Sequence, residues 1–387
     1  MPFLGELEAV RVLAKILTSL LSLLLLAISV AAGAMLINFA AKTVYLSPQF
    51  QEAHKNGIRV VSYVLNERAD IYGDDSSIIP HPYLLYVNRP NFKAKGFTQT
   101  DDRGYRIVPQ PKRSAQDHPK RILVLGGSTT FSYPYVPNPG DAWPAQLQKL
   151  LGPHFEVINA GLSSATTAEL LADYMFRHRY LKPDVVIIHE GGNDVVPMLF
   201  GNYDPEYTHL RSPGTRPVAG PFDRAMLRWG GWPARMLYAD NWNLLTTVFS
   251  PQPSSLATIP PEVALERAQH APTTGFARNL DLLVRAVQAD GATPVLFGFV
   301  EAKEALLSRN RPDIAGLEHA WKTGLNRNLE IMKEIARARK VAYLDPEDFA
   351  ADDDWFLDNC HLNEAGEAAK AAFVAKSISS LLASTGP

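Results

Sequence analysis

The chain has 387 residues, of which 46% are hydrophobic and 20% charged, and 38 Lys and Arg against 40 Asp and Glu give a formal net charge of −2. This balance excludes a strongly basic nucleic-acid-binding protein, and the apolar content is sufficient for a folded core. The single cysteine, Cys360, excludes an intrachain disulfide and a cysteine-rich zinc or iron–sulfur site. At about 100–200 residues per domain, the length predicts two units, or one domain with additions.

The first distinctive segment is an apolar run from Ile16 to Ala41 that contains no charged residue, with Arg11 and Lys15 before it and Lys42 after it. As a helix rising about 1.5 Å per residue, this run exceeds the roughly 30 Å hydrocarbon core, so it can span a bilayer with some tilt. We expect an uncleaved membrane anchor, with a cleaved signal peptide and a buried soluble helix as alternatives. The charges at its start favour a cytoplasmic N-terminus, which places the rest of the chain outside the cytoplasm.

Residues 45–118 are mixed and polar, and they carry turn signals such as the Tyr-Gly-Asp-Asp at 72–75. We expect a linker followed by a small irregular or β-rich extension. The segment also contains most of a loose basic cluster, which we interpret as ordinary surface: Arg106, Lys112, Arg113 and Lys120.

Short apolar runs then alternate with segments of helical periodicity. The runs predict strands at 121–125, 155–158, 184–188, 293–299 and 341–344. The periodic segments predict helices at about 142–151, 165–181, 275–289, 315–339 and 363–383. This alternation is typical of a parallel sheet covered by helices on both faces, and such sheets bind ligands outside the carboxyl ends of their strands.

A long insertion at about 196–270 interrupts the alternation. It holds many of the prolines and several aromatic residues: Phe200, Tyr203, Tyr207, Trp229, Trp232, Tyr238 and Trp242. Two interpretations remain open: the insertion forms part of the rim of the ligand site, or it only packs against the domain and has no role in ligand binding.

Polar residues follow the first two predicted strands. Ser128 comes directly after Gly126-Gly127, where a strand-to-helix turn would expose its Oγ near free backbone N–H groups, as a nucleophile requires. Helix N-capping is the alternative role for this serine. Gly161 in Asn159-Ala160-Gly161 permits a close backbone approach, although by itself it is only a turn signal.

Two further polar segments complete the pattern. Asn193 follows Gly191-Gly192 after the third strand, and its amide could donate to an oxyanion or form a local turn. His361 lies three residues after Asp358, just before the last predicted helix. A carboxylate at that spacing can orient one ring nitrogen and leave the other free to act as a base.

Together the four segments resemble the four sequence blocks of the SGNH hydrolase family, also called GDSL-type esterases, which is named for one Ser, Gly, Asn and His. In this chain these are Ser128, Gly161, Asn193 and His361. The resemblance covers about residues 118–383 and implies a flavodoxin-like three-layer α/β/α sandwich with a parallel sheet. It also implies ester chemistry without a metal or other cofactor.

In the mechanism that the resemblance implies, His361, held by Asp358, takes the proton of Ser128 as this serine attacks an ester carbonyl. The backbone N–H groups of Ser128 and Gly161 and the side-chain amide of Asn193 would hold the oxyanion. One departure is visible, because Gly127 stands where the first block usually has Asp. The stretch from His81 to Asn88 and on through Gly104-Tyr105-Arg106 is loosely similar to the N-terminal extension of bacterial SGNH proteins.

We therefore expect an anchor at 1–44, a linker and extension at 45–118, and a catalytic domain at 119–387. Anchored members of the family that this chain resembles are often tied to polysaccharide O-acetylation or deacetylation. The resemblance therefore implies a membrane-anchored serine esterase that hydrolyses acyl esters, above all acetyl esters on cell-envelope or exopolysaccharide glycans. A polysaccharide O-acetyltransferase with the same residues and a non-catalytic SGNH-fold binding protein are the alternatives. The expected partners are an ester substrate such as an acetylated glycan and the bilayer around residues 16–41, with no nucleic acid.

The expected location is the inner or cytoplasmic membrane, crossed once, with the catalytic domain in the periplasm or outside the cell. Two other motifs are set aside. His189-Glu190 lacks the second His of a zincin motif, and the run Asp352-Asp353-Asp354 lacks the spacing of a calcium-binding loop and is expected to be a solvated loop.

Overall fold

The computed structural model describes residues 2–45, 77–81, 83–114, 118–201, 203–207, 256, 259–303 and 316–384. The chain divides into two compact units. The first takes in residues 1–65 and 213–253, and the second takes in residues 66–212 and 254–387. The described part of the first unit is a single helix, and the second unit contains all of the described strands.

Helix α1 (Pro2–Tyr45) contains the predicted apolar run. Its segment Arg11–Gly33 has a mean hydropathy of 2.3 over 23 residues, none of it buried, so it is long and apolar enough to cross a membrane. The hydroxyls of Thr18 and Ser22 donate to the carbonyls four residues before them, which satisfies these polar groups within the helix. One such helix near the N-terminus fits either an anchor or a signal sequence.

The extension before the sheet consists of two small antiparallel hairpins. Strand β1 (Ile78–His81) pairs with β2 (Leu85–Asn88), and β3 (Lys93–Ala94) pairs with β4 (Phe97–Thr98). Apolar side chains of this extension are buried, and they belong to the same compact unit as the sheet: Leu84, Tyr86, Val87, Phe92 and Tyr105.

The centre of the second unit is a five-stranded parallel sheet. Its strands are β5 (Lys120–Gly126), β6 (Phe155–Asn159), β7 (Val185–Glu190), β8 (Thr293–Gly298) and β9 (Ala342–Leu344). They lie in the order β6-β5-β7-β8-β9, which is the flavodoxin-like order for a doubly wound sheet. Every residue of β7 is buried, as expected for a strand covered on both faces.

Helices cover this sheet on both faces. They are α2 (Ser128–Phe131), α3 (Trp143–Leu151), α4 (Thr167–Phe176), α5 (Val195–Met198), α6 (Pro261–His270), α7 (Thr274–Ala289), α8 (Glu318–Arg339) and α9 (Glu364–Ser384). Helix α3 packs against α9, while α7 packs between α4 and α8. The predicted three-layer α/β/α fold is thus confirmed. The predicted helix 165–181 is shorter, because α4 ends at Phe176 and a 3-10 turn, His178–Leu181, follows it.

Candidate active site

The nucleophile segment is a tight turn from β5 into α2. A Cβ added at Gly126 would lie 2.4 Å from Thr130 Oγ1 and 2.6 Å from the His189 carbonyl oxygen, so the turn has no room for a side chain there. Ser128 is the first residue of α2 and is half-buried. Its N–H is therefore among the first amides of the helix, which have no acceptor within the helix.

A chain of hydrogen bonds joins the predicted serine, histidine and aspartate. Ser128 Oγ lies 2.8 Å from His361 Nε2, and His361 Nδ1 lies 2.7 Å from Asp358 Oδ2. The other carboxylate oxygen, Asp358 Oδ1, accepts the backbone N–H groups of Cys360 at 2.9 Å and His361 at 2.7 Å. Burial alone would raise the pKa of Asp358, but the hydrogen bond and charge of His361 together with these amides hold that pKa below its usual value.

An aromatic ring packs directly on the candidate base. Tyr135 lies face to face with the imidazole of His361, with 3.6 Å between the ring centroids and 11° between the planes. The stack and the Asp358 hydrogen bond together fix the plane of the imidazole. Nothing in the sequence around Tyr135 indicated this contact, because it joins residues far apart in the chain.

Asn193 lies beside the nucleophile turn. Its Nδ2 donates to the carbonyl oxygen of Ala165 at 2.7 Å, and its backbone N–H donates to Glu190 Oε1 at 3.3 Å. A Cβ added at Gly127 would lie only 2.2 Å from Asn193 Nδ2. In this structure the Asn193 amide thus occupies the space that a side chain at position 127 would need, so a larger residue there would require Asn193 to move.

Gly161 lies in close contact with helix α2. A Cβ added at this residue would lie 2.3 Å from the backbone nitrogen of Phe131, so only glycine allows the loop to approach α2 this closely. Its N–H already donates to Asn159 Oδ1 at 3.0 Å. A role as oxyanion donor would require that bond to open, and it stays a prediction.

The extension supports the loop that carries Gly161. Asn88 Nδ2 donates to the Gly161 carbonyl oxygen at 2.8 Å, and the Tyr86 hydroxyl donates to the Ser163 carbonyl oxygen at 2.9 Å. From the other side, Asn159 Nδ2 donates to the Thr130 carbonyl oxygen in α2 at 2.9 Å. The loop is therefore held between the extension and the nucleophile helix.

Arg106 also belongs to this support, so its interpretation as ordinary surface was wrong. It is only 2% exposed, and its backbone N–H donates to the Asn159 carbonyl oxygen at 3.1 Å. Its guanidinium donates to the Val136 carbonyl oxygen at 2.7 Å and to Gln99 Oε1, and it lies over the Phe131 ring at 5.3 Å. Burial lowers the pKa of Arg106 to about 10.

Two buried carboxyl groups, those of Glu190 and Asp194, lie on either side of Asn193 in the sequence. Asp194 Oδ1 accepts the hydroxyls of Thr167 at 2.6 Å and Tyr207 at 2.8 Å. Burial raises the pKa of Asp194 to about 6, and burial together with the charge of Asp194 raises that of Glu190. Tyr207 comes from the predicted insertion, whose residues Trp229, Trp232, Tyr238 and Trp242 lie outside the described part of the chain.

Among the described residues, one grouping has the spacing of metal ligands, namely Asp358, Cys360 and His361, with ligand atoms within 4.8 Å of one another. The hydrogen bonds from Asp358 to His361 and on to Ser128 already use these groups. In the acidic run, Asp352 caps a short 3-10 turn, Asp353–Trp355, by accepting the Asp354 backbone N–H, while Asp353 accepts the backbone N–H of Lys303, which follows β8. Asp352 and Asp354 are exposed, so the run is a solvent-exposed turn whose first two carboxylates also accept backbone amides.

A sequence model of the GDSL-like Lipase/Acylhydrolase family matches residues 124–369, which is more than half of the chain. The chain therefore belongs to this family of hydrolases. The match includes the serine, asparagine and histidine segments described above, and its family is the one that the four sequence blocks indicated.

Solved structures of this family are similar to the chain at low identity. A GDSL-family lipolytic protein from Desulfitobacterium hafniense DCB-2 is 15% identical, over 67% of this chain and 99% of that one, with a TM-score of 0.39. A GDSL-like lipase from Bacteroides thetaiotaomicron VPI-5482 is 14% identical, over 68% of this chain and 89% of that one, with a TM-score of 0.39. A catalytic mutant of an acetylxylan esterase from Geobacillus stearothermophilus is 16% identical, over 68% of this chain and 96% of that one, with a TM-score of 0.39. No curated protein matches the chain.

Proposed function

We propose that this protein is a serine esterase that hydrolyses acyl esters, above all acetyl esters, with Ser128 as nucleophile, His361 as base and Asp358 as the residue that orients the base. The observation that carries the proposal is the unbroken chain of hydrogen bonds, 2.8 Å from Ser128 Oγ to His361 Nε2 and 2.7 Å from His361 Nδ1 to Asp358 Oδ2. A nucleophile within hydrogen-bond reach of a base that a third group orients is the arrangement required for covalent acyl transfer.

In the proposed reaction His361 Nε2 takes the Ser128 proton while Oγ attacks the ester carbonyl carbon. The Ser128 N–H and the Asn193 side-chain amide stabilise the oxyanion of the tetrahedral intermediate. His361 then gives its proton to the departing alcohol oxygen, and an acyl-serine remains. Water, deprotonated by the same imidazole, releases the acid and restores Ser128.

For the substrate we propose acetylated glycans of the cell envelope or of an exopolysaccharide. This follows from the resemblance to anchored members of the family, and the proposed anchor would keep the enzyme near such polymers. In α1, the apolar segment Arg11–Gly33 supports an anchor, and Arg11 and Lys15 support a cytoplasmic N-terminus. The catalytic unit would then lie in the periplasm or outside the cell.

The test of the chemistry is Ser128→Ala in the full chain. Removal of a catalytic serine typically lowers kcat by about 10⁶, so we expect hydrolysis of p-nitrophenyl acetate to fall to background. Ser379→Ala is the matched control, because Ser379 lies on α9 and its hydroxyl donates only to its own helix. Wild-type turnover by Ser128→Ala would refute the assignment. A series of p-nitrophenyl esters from acetate to octanoate then tests the preference for acetyl groups.

The acceptor of the acyl group is tested separately. Purified wild-type protein is given an acetyl donor with and without a glycan, and free acetate and glycan acetate are both measured. Hydrolysis predicts release of acetate that the glycan does not suppress. Acetylation of the glycan in excess of hydrolysis would instead make the protein an O-acetyltransferase that uses the same residues.

The anchor is tested by carbonate extraction of membranes from cells that produce the full chain. An uncleaved anchor predicts that the protein stays in the extracted membranes and keeps residues 1–45 at its N-terminus. A soluble protein that lacks these residues would identify a cleaved signal peptide instead.

A further inference from the structure

Two buried charged residues lie on α9, directly after the candidate base. The helix begins at Glu364, three residues beyond His361, and Glu367 and Lys370 occupy its first two turns. Glu367 is 2% exposed and Lys370 is 1% exposed. The proposed reaction does not use either side chain, so their burial needs another explanation.

Both side chains reach the segment that carries the nucleophile. Glu367 Oε2 accepts the Ser132 hydroxyl at 2.8 Å and the Trp143 backbone N–H at 2.6 Å. Lys370 Nζ donates to the carbonyl oxygen of Thr129 at 3.2 Å, and Trp143 Nε1 donates to the same oxygen at 3.1 Å. Thr129 is the residue next to Ser128, and Ser132 follows α2. Contacts from α9 therefore hold both ends of the nucleophile helix.

The ammonium group has a second buried partner. Lys370 Nζ lies 2.7 Å from His189 Nε2 on β7. Burial and the charge of Lys370 lower the pKa of His189, so its neutral ring nitrogen is available as an acceptor. Burial also lowers the pKa of Lys370 to about 8 and raises that of Glu367. Burial thus disfavours the charged form of both side chains, and their hydrogen bonds to α2 and to its flanking residues offset part of that cost.

The link from these residues to the base is short and rigid. Only Leu362 and Asn363 separate His361 from α9; Leu362 is 2% exposed, and the Asn363 side chain accepts the Gly366 N–H at 3.0 Å. The Asn363 backbone N–H donates to the Trp355 carbonyl oxygen at 2.7 Å. A shift of the first turns of α9 would therefore move His361, and a shift of α2 would move Ser128.

We infer that Glu367 and Lys370 are positioning residues, which set the distance between Ser128 Oγ and His361 Nε2 by fastening the start of α9 to α2. The inference rests on the proposed function of Ser128 and His361. These two atoms come from positions 233 residues apart in the chain, so packing between α2 and α9 has to define their separation. A displacement of about 1 Å between reacting groups can lower a rate by roughly 10²-fold.

The test uses Lys370→Met, Glu367→Ala and Glu367→Gln in the full chain. Lys370→Met and Glu367→Ala should each lower kcat by about 10–100-fold with KM changed less than about twofold, because the groups act on the reacting geometry and not on substrate binding. The rate constant for labelling of Ser128 by a fluorophosphonate should fall in parallel. Glu367→Gln keeps an acceptor oxygen for Ser132 and Trp143, so it should recover most of the loss.

The matched control is Tyr174→Phe. Tyr174 is also buried, and its hydroxyl donates to Asp290 Oδ2 at 3.0 Å, which joins α4 to the end of α7. This variant should lose stability but keep the labelling rate constant of the wild type. All rates are measured below the unfolding midpoint of each variant and divided by the folded fraction from circular dichroism. If Glu367→Ala does not fold, Lys370→Met provides the result.

Three outcomes separate the hypotheses. Rate constants for Lys370→Met and Glu367→Ala that match Tyr174→Phe, or a loss confined to KM, would overturn the positioning role. A fall in kcat and labelling that Glu367→Gln largely restores would support it. A wild-type protein that neither hydrolyses esters nor labels at Ser128 would instead refute the proposed function.

Discussion

The two sides of helix α2 differ in how they are built. On the side of the reaction, Ser128, His361 and Asp358 come from short segments in which the chemistry is visible along the chain. On the supporting side, the contacts come from the extension, from β6 and from α9, with Arg106 and Lys370 as the buried charges. The reacting groups thus belong to local motifs, while the spacing between them depends on residues that carry no motif of their own.

The largest effect after loss of Ser128 is expected on the reaction side, from Asp358→Asn. The amide keeps the shape of the side chain but favours the wrong tautomer of His361, so kcat should fall by about 10⁴. Hydrolysis of p-nitrophenyl acetate by full-length protein measures it. The control is Asp353→Asn, which removes a nearby carboxylate that accepts the Lys303 backbone N–H. Equal activities of the two variants would contradict the role of Asp358.

Next in size is the effect of Asn193→Ala. Loss of one oxyanion donor typically lowers kcat by 10²–10³ with little change in binding, as measured in other hydrolases. Asn138→Ala is the control, because Asn138 caps the 3-10 turn Pro139–Asp141 and donates to Asp141. Should Asn193→Ala change KM and leave kcat intact, Asn193 would be a binding residue and not an oxyanion donor.

A smaller effect on rate and a larger one on stability are expected on the supporting side, from Arg106→Met. The change leaves the buried carbonyl oxygen of Val136 without its donor, which costs about 1–3 kcal/mol, so Tm should fall by several degrees. Lys112→Met is the control, because Lys112 is an exposed residue of the same extension and should leave Tm within experimental error. Equal midpoints in differential scanning calorimetry would show that the buried guanidinium does not hold the extension.

The smallest effect is a change of stability with pH that depends on Asp194. Burial raises the pKa of Asp194 to about 6 in the folded protein, above its value of 3.8 in an unfolded chain, so the folded state binds a proton more tightly. This contribution to stability is present below the unfolded pKa and is lost as the pH rises through the folded pKa.

Asp194→Asn removes that titration and keeps an acceptor for Thr167 and Tyr207. The difference in Tm, wild type minus variant, should therefore decrease from about pH 4 to about pH 6 and be level above it. Thermal unfolding at four pH values between 4 and 7.5 measures this difference. A difference that is constant across the range, or that grows with pH, would show that Asp194 is not held in its protonated form.

Much of the fold could be predicted from the sequence, because burial determines where apolar residues have to stand. The strand predicted at 184–188 is β7 at Val185–Glu190, since a strand covered on both faces must be apolar throughout. Asp358 and His361 could be paired because three residues separate them, a distance over which the local backbone decides the geometry. The prediction for 165–181 failed at its end, where Arg177 leaves the helical conformation, with φ −132° and ψ −57°.

The supporting residues could not be predicted for a physical reason. Arg106, Glu367 and Lys370 are charged, and charged residues are almost always exposed unless they are paired. Several of their partners are distant in sequence: Val136 lies 30 positions from Arg106, and Thr129 lies 241 positions from Lys370. Only the folded chain shows these pairings. For Asn88 and Tyr86, the loose similarity of the stretch from His81 to Asn88 to other extensions was the one available signal.

The interlock of Gly127 with Asn193 constrains how this site can change by mutation. An aspartate at position 127, as in other first blocks, would place its Cβ 2.2 Å from Asn193 Nδ2. Asn193 would have to rotate and give up its bond to the Ala165 carbonyl oxygen. A side chain at position 127 is therefore coupled to the conformation of the candidate oxyanion donor, and the effects of substitutions at these two positions should not be additive.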